Sequence, residues 1–454
     1  MLPLEFSEER DGDKMLWEVE RRVEAGPVEG ERKFGFAWLA TPVKPLLDPY
    51  GTRSVGDGWY PANPPLSAAK LTDHFAQGKA LGVTEVHTHE PWTEIMGYPF
   101  SFLNMEQVKD ASAAAKEEGI RDCLYSHPII STLAPEFEEW GNQFALKAPP
   151  VAAFQRTPAQ DLFFICHDTE WSDFYIWSWV RLIKEYGVGG MYFDGTHGSC
   201  VCMNPNHRHS AFYPDGKVAP YQPVRAAHKC MQRLRRATSA ADPGFFFLGH
   251  TMTPFAGYYL DYFMTGENFW VVPAGFEVPL DYLRVVLSPQ WGVPHDFYRG
   301  PILANDYIRP IALAHGYGVW SSGIAPTSET ANWRVPIWKA WEAFGIKDAE
   351  FVPYWKGDAL VTSSNPDVVV SSHRKKGSVL IAPATTKRSV PSSELRINVR
   401  ALGITSEKPL VTTGDGGPIP NIPAVSADGF LVLKYPEQAV LGVYIWIRNA
   451  EKSQ

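Results

Sequence analysis

The chain has 454 residues, 45% hydrophobic and 20% charged, which is apolar enough for a sizeable core and excludes a mainly disordered chain. Its formal net charge is −8, from 42 Lys and Arg against 50 Asp and Glu, and the densest basic stretch is QRLRR at 232–236. A nucleic-acid partner needs clustered positive charge and a membrane span needs about 18 consecutive apolar residues, so neither partner is expected.

Residues 1–33 form a charged N-terminal extension containing WEVERRVEAG, which reads as one or two strands. The opening MLPLEFSEERDGDKM has no basic n-region ahead of an apolar h-region, so no signal peptide and a cytoplasmic location are expected. Between 34 and 345, short apolar runs alternate with amphipathic stretches. The runs are FGFAWLA (34–40), GVTEVHT (82–88), IRDCLYS (120–126), GGMYFD (189–194), GFFFLGH (244–250), DYFMTG (261–266), GPILAND (300–306) and GYGVWSS (316–322). Helical patterns separate most of them, at LSAAKLTDHFAQGKAL, MEQVKDASAAAKEEG, SDFYIWSWVRLIKEYG and PVRAAHKCMQRLRRA, and NWRVPIWKAWEAFG follows the last. Strands and helices in this alternation predict the α/β class and a (β/α)8 TIM barrel over 34–345. From about Tyr354 the texture changes to short alternating strands between Gly, Pro, Asn and Ser turns, which predicts a C-terminal antiparallel β-sandwich over 346–454.

A barrel carries its site on the loops after its strands, so polar residues at the end of each apolar run are the candidates. The second run ends in His87, His89, Glu90 and Trp92, the third in His127, and the fourth in Asp194 with His197 close behind. The fifth ends in His250, the sixth in Glu267, Asn268 and Trp270, the seventh in Asp306 and the eighth in Trp320. Arg309 comes just after the seventh run, and ICHDTEW adds Asp168, Glu170 and Trp171 ahead of the fourth. Asp194 stands out because GGMYFDG presents a carboxylate directly after a buried strand, with a Gly to turn the chain away. Glu267 lies among aromatic residues, whose burial would raise its pKa and suit it to a general acid.

Two carboxylates across a barrel mouth, flanked by indole rings, are the equipment for cleaving a glycosidic bond. Asp194 and Glu267 are therefore the expected catalytic pair, with the other candidates binding a carbohydrate substrate and Trp92, Trp171, Trp270 and Trp320 as a stacking platform. The stretch ATPVKPL (40–46), the YFDG turn followed by CVCMNPNH (200–207) and the helix opening PVRAAH resemble glycoside hydrolase family 123 and its uncharacterised relatives. That resemblance implies a barrel glycoside hydrolase acting on an oligo- or polysaccharide. The chain departs from the family where an adjacent Asp-Glu pair is required, since Gly195 follows Asp194. In placement the pair looks more like retaining α-galactosidase-type barrels, a resemblance that implies Asp194 as nucleophile and Glu267 as acid/base.

Five Cys, at 123, 166, 200, 202 and 230, are too sparse for a disulfide framework. Cys200, Cys202, His207 and His209 fall close together, but structural zinc sites space their ligand pairs differently, so the segment reads as an ordered loop beside Asp194 and neither metal nor organic cofactor is expected. Two rival readings remain. One is a metal-dependent hydrolase of the amidohydrolase kind using His87-x-His89; the other is a glycan-binding protein without catalysis.

Overall fold

The computed structural model describes residues 4–11, 14–21, 44–46, 48, 50–56, 58–59, 65–156, 159–195, 200–250, 254–265, 280, 284, 292–298, 305–357, 359–387, 391–437 and 444–450. Within the N-terminal extension, Leu4–Asp11 and Lys14–Arg21 pair as an antiparallel hairpin. Residues 41–454 make a separate compact unit.

Eight strands form its central sheet: β1 (Ser54–Val55), β2 (Glu85–Thr88), β3 (Arg121–Ser126), β4 (Gly190–Asp194), β5 (Phe246–His250), β6 (Tyr262–Thr265), β7 (His295–Phe297) and β8 (Gly318–Val319). All neighbouring pairs are parallel and follow chain order. A further parallel bridge from Gly56 to Ser322 joins β1 to β8 and closes the barrel. Only glycine fits at that closure, because a Cβ on Gly56 would meet the Trp320 indole at 2.4 Å and His87 Nε2 at 2.8 Å.

Among the described residues the helices are α1 (Ala68–Ala80), α2 (Met105–Glu117), α3 (Phe137–Phe144), α4 (Trp171–Tyr186), α5 (Val224–Ala241), α6 (Asn305–Ala314) and α7 (Val335–Phe344). Ser67 caps α1 by accepting from the Lys70 amide, and Gly187 (φ 73°) ends α4 in the left-handed region that side chains avoid. Between β5 and β6 a single 3-10 turn, Pro254–Tyr258, stands where a barrel helix would be. Between β3 and α4 the chain inserts α3 and a three-stranded antiparallel sheet of Ile129–Ser131, Gln160–Phe164 and Phe154–Arg156.

One expected strand is corrected and another falls outside the described residues. Among the described residues the barrel's first strand is Ser54–Val55, with β1 paired to β2 and the Gly56 bridge reaching β8. Residues 34–40 themselves lie outside the described residues. The described strand in seventh place is His295–Phe297, and of the run expected there, 300–306, Asn305 and Asp306 open α6 while 300–304 lie outside the described residues.

Strand alternation sets inside against outside. On β4, Tyr192 and Asp194 point into the barrel, whereas Met191 and Phe193 pack outward on Tyr175 of α4. The C-terminal part consists of a five-stranded and a three-stranded antiparallel sheet over a core that includes Val379, Ile381, Leu395, Ile397, Leu431, Leu433, Ile445 and Ile447. It seats on the last two barrel helices: Ser371 Oγ donates to the Ala314 carbonyl at 2.5 Å, and Trp341 Nε1 donates to Tyr444 Oη at 3.3 Å.

Candidate active site

Asp194 is the last residue of β4, and Gly195 at φ 62° turns the chain away while its amide bonds the His250 carbonyl at 3.2 Å. The carboxyl group keeps about one fifth of its surface open (20%), unlike the strand residues before it. Tyr125 Oη donates to its Oδ2 at 2.9 Å, and His250 Nδ1 lies 3.3 Å from its Oδ1. The register that pairs His250 with Asp194 puts both at one level of the barrel, and Tyr192 Oη sits 2.8 Å from the same His250 nitrogen. Burial, with the Asp194 charge nearby, pushes the Tyr125 phenol well up, so it remains a donor.

A rim of rings surrounds this carboxylate. His89 lies over Tyr125, with ring centroids 4.6 Å apart and planes 33° apart, and burial lowers its pKa to about 4 against the opposing pull of Asp194. It is neutral at pH 7 and can both donate and accept. Burial likewise holds His87 neutral, and its Nε2 accepts from Trp320 Nε1 at 2.9 Å. Trp320 in turn packs against Tyr298 (centroids 4.9 Å apart), and Tyr298 against His250 (5.2 Å). Glu90 opens the short turn after His89; burial raises its pKa, Arg156 at 3.7 Å opposes that, and Asp194 adds to it.

The other expected site residues are dispersed. Trp92 is fully buried, its indole donating to the Tyr125 carbonyl at 2.8 Å, and Trp171 is buried against Tyr175 at 4.5 Å, so both rings belong to the core rather than to an open platform. His127 is buried, with its ring near Tyr125 and Phe164. Asp168 holds His209 at 3.1 Å, and Glu170 faces Arg208 at 3.9 Å. Arg309 lies on α6 with its guanidinium 5.3 Å from the Trp333 ring centre, and Asp306 is in the first turn of that helix. Glu267, His197, Asn268 and Trp270 lie outside the described residues.

Three residues at the mouth are absent from the sequence-based set: Tyr125, Tyr192 and Tyr298. A search confined to the ends of the apolar runs overlooks the inward side chains within them. The signal is present for two of the three, since Tyr192 is two residues before Asp194 and Tyr125 is two residues before His127, hence on the same strand face.

Among the described residues, His87 and His89 belong to no group of three or more converging metal-ligand atoms; the one such group is Cys166, Cys202, His207 and His209.

Residues 334–415 match the family model "Glycoside hydrolase 123, C-terminal domain". This match falls on α7 and the first C-terminal strands, not on the barrel motifs. No curated protein matches the chain. Among solved structures, a maltogenic α-amylase from Thermotoga neapolitana is similar with a TM-score of 0.58 at 11% identity, covering 88% of this chain and 99% of that one. A cycloisomaltooligosaccharide glucanotransferase from Paenibacillus gives 0.57 at 8% identity, covering 88% and 85% respectively. An α-galactosidase from Lactobacillus brevis gives 0.52 at 13% identity, covering 89% of this chain, which spans 56% of that one. These likenesses establish the fold, a TIM barrel followed by a C-terminal β domain.

Proposed function

We propose that the chain is a glycoside hydrolase that cleaves O-glycosidic bonds of an oligo- or polysaccharide at the mouth of its barrel. The observation that carries this reading is Asp194: a partly open carboxylate at the end of β4, held by a phenol and an imidazole and ringed by His89, Tyr192, Tyr298 and Trp320. A sugar has apolar faces and a belt of hydroxyls, and this rim offers aromatic surface together with neutral donors and acceptors. The family-model match in the C-terminal part supports the same class.

The mechanism proposed is retaining. Asp194 attacks the anomeric carbon to form a glycosyl-enzyme while Glu267 protonates the departing oxygen; Glu267 then takes a proton from the water that releases the sugar. Tyr125 and His250 hold the Asp194 oxygens in the attacking orientation. One further group competes for the acid role: Glu90, whose carboxyl is pushed towards the protonated form by burial and by Asp194. Kinetics of Glu267→Gln and Glu90→Gln on aryl glycosides separate them. Loss of turnover that is milder for substrates with acidic leaving groups marks the acid. If both variants cleave every substrate as the parent does, the carboxylate-pair mechanism fails.

A further inference from the structure

Beside the barrel, two segments distant in sequence bring four soft and borderline ligands to one point. Cys166 follows the inserted strand Gln160–Phe164, and its amide bonds the Phe144 carbonyl at 2.8 Å. Cys202, His207 and His209 come from the connection between β4 and α5. Cys202 is pinned by paired backbone bonds with Tyr221 (2.7 and 3.0 Å), and Met203 N donates to the Leu146 carbonyl at 2.8 Å. The Asn204 side chain bridges the Asn142 and Ala145 carbonyls at 2.7 and 2.8 Å, fastening the turn that carries both histidines.

The two sulfurs and one nitrogen from each histidine all lie within 4.8 Å of one another. Cys202 Sγ is 3.1 Å from His207 Nδ1, and Cys166 Sγ is 3.9 Å from His209 Nε2. The outward nitrogens are occupied in the way metal-binding imidazoles are. His207 Nε2 is 2.7 Å from the Gln143 carbonyl, which fixes its proton there and leaves Nδ1 as the ligand. His209 Nδ1 is 3.1 Å from Asp168 Oδ2, which leaves Nε2 as the ligand. Tyr221 stacks on His209 at 4.4 Å, and Cys166, Cys202 and His207 are buried. Four protein ligands with no open position describe a structural rather than a catalytic centre.

We propose that Cys166, Cys202, His207 and His209 form a structural Zn2+ site that fastens the chain leaving the barrel mouth after Asp194 to the segment entering α4. Two thiols lose their protons on binding, so the two thiolates balance the ion and the two imidazoles complete a neutral tetrahedral S2N2 set. Spacing alone points to Cys200; the fold replaces it with Cys166, and Cys200 serves as the internal control.

The test is the zinc content of the full chain, purified under reducing conditions, incubated with ZnCl2 and desalted. One zinc per chain is expected for the parent and for Cys200→Ser, and well under one for Cys166→Ser and Cys202→Ser. Asp168→Asn alters an exposed carboxylate and tests the site without cutting the buried core. It is expected to weaken zinc on the order of 10-fold or more in a chelator competition. Substituted with Co2+, the parent is expected to show the thiolate charge-transfer and intense d–d bands of a tetrahedral two-sulfur centre. The proposal is overturned by a parent that retains no zinc, by a Cys166–Cys202 disulfide in the reduced preparation, or by Cys200→Ser losing zinc as Cys202→Ser does. Glycosidase inactivity of the parent would overturn the function proposed above without touching this site.

Discussion

Asp194 and Asp296 stand on strands of one barrel, and the chain surrounds them in opposite ways. Asp296 is 3% exposed, and Arg334 Nη1 lies 2.5 Å from its Oδ2 while also donating to the Ser54 carbonyl at 2.7 Å. Asp194 is bonded to Tyr125, which carries no charge, lies beside His250 and faces the open mouth. The first carboxylate ties Arg334, the residue ahead of α7, to β1 and β7 through a matched buried charge, and its negative charge is spent on that guanidinium. The second meets a neutral phenol and an imidazole and is one fifth exposed. Asp122 is an intermediate case: Thr88 Oγ1 at 2.6 Å and Trp59 Nε1 at 2.5 Å donate to it, and burial pushes its pKa up to about 6. The kind of partner, rather than the strand position, separates a structural acid from a candidate reactive one.

Substitutions that remove one charge at a time make this contrast measurable. Asp194→Asn is expected to lower kcat on the order of 10³- to 10⁴-fold with the thermal midpoint unchanged. Equal loss of stability would move Asp194 into the structural class. Asp296→Asn leaves Arg334 buried without its counter-charge and is expected to cost about 3–5 kcal/mol in urea unfolding. The double variant Asp296→Leu/Arg334→Met should recover much of that.

A smaller effect comes from His373, buried where the C-terminal sheets meet the barrel. Its ring packs near Tyr50, Phe351 and Tyr444, and neither of its nitrogens has a hydrogen-bond partner among the described residues. Burial lowers its pKa to about 3, below the 6.5 of an unfolded histidine. The unfolded chain therefore takes up the proton first, so this contribution to stability is intact above about pH 6.5 and is lost as pH falls towards 3. His373→Phe should flatten the pH dependence of unfolding between pH 6 and 4 by about 1.4 kcal/mol per pH unit. An unchanged slope would show that His373 is not held neutral. The smallest effect is expected from Trp320→Phe, which keeps an aromatic face but removes the donor to His87. KM should rise about 5-fold, or about 1 kcal/mol, with a lesser change in kcat.

Strands are legible in the sequence where their apolar runs are long enough to be seen. GGMYFD and GFFFLGH correspond to β4 and β5, and Asp194 and His250 stand out because each ends such a run. β1 is two residues long and β7 is His-Asp-Phe, with Asp296 neutralised by Arg334 from another element. Neither has an apolar signature, and no local pattern reveals a charge paired across the fold. Trp92 and Trp171 read as platform because strand-end position does not show burial, which depends on what packs over them. The composition of the Cys and His cluster is hidden for a related reason: Cys166 arrives from a different segment to meet Cys202, His207 and His209, and linear spacing sees only residues that are neighbours in sequence.

The most direct test of Asp194 as the reacting carboxylate is covalent trapping. A 2-deoxy-2-fluoro glycosyl fluoride of the sugar that the parent cleaves slows release of the glycosyl-enzyme, and peptide mass spectrometry then locates the adduct. The account predicts the fluorosugar on Asp194, with time-dependent inactivation absent in Asp194→Asn. An adduct on Glu90 or Glu267, or turnover that inverts the anomeric centre without an adduct, would contradict it.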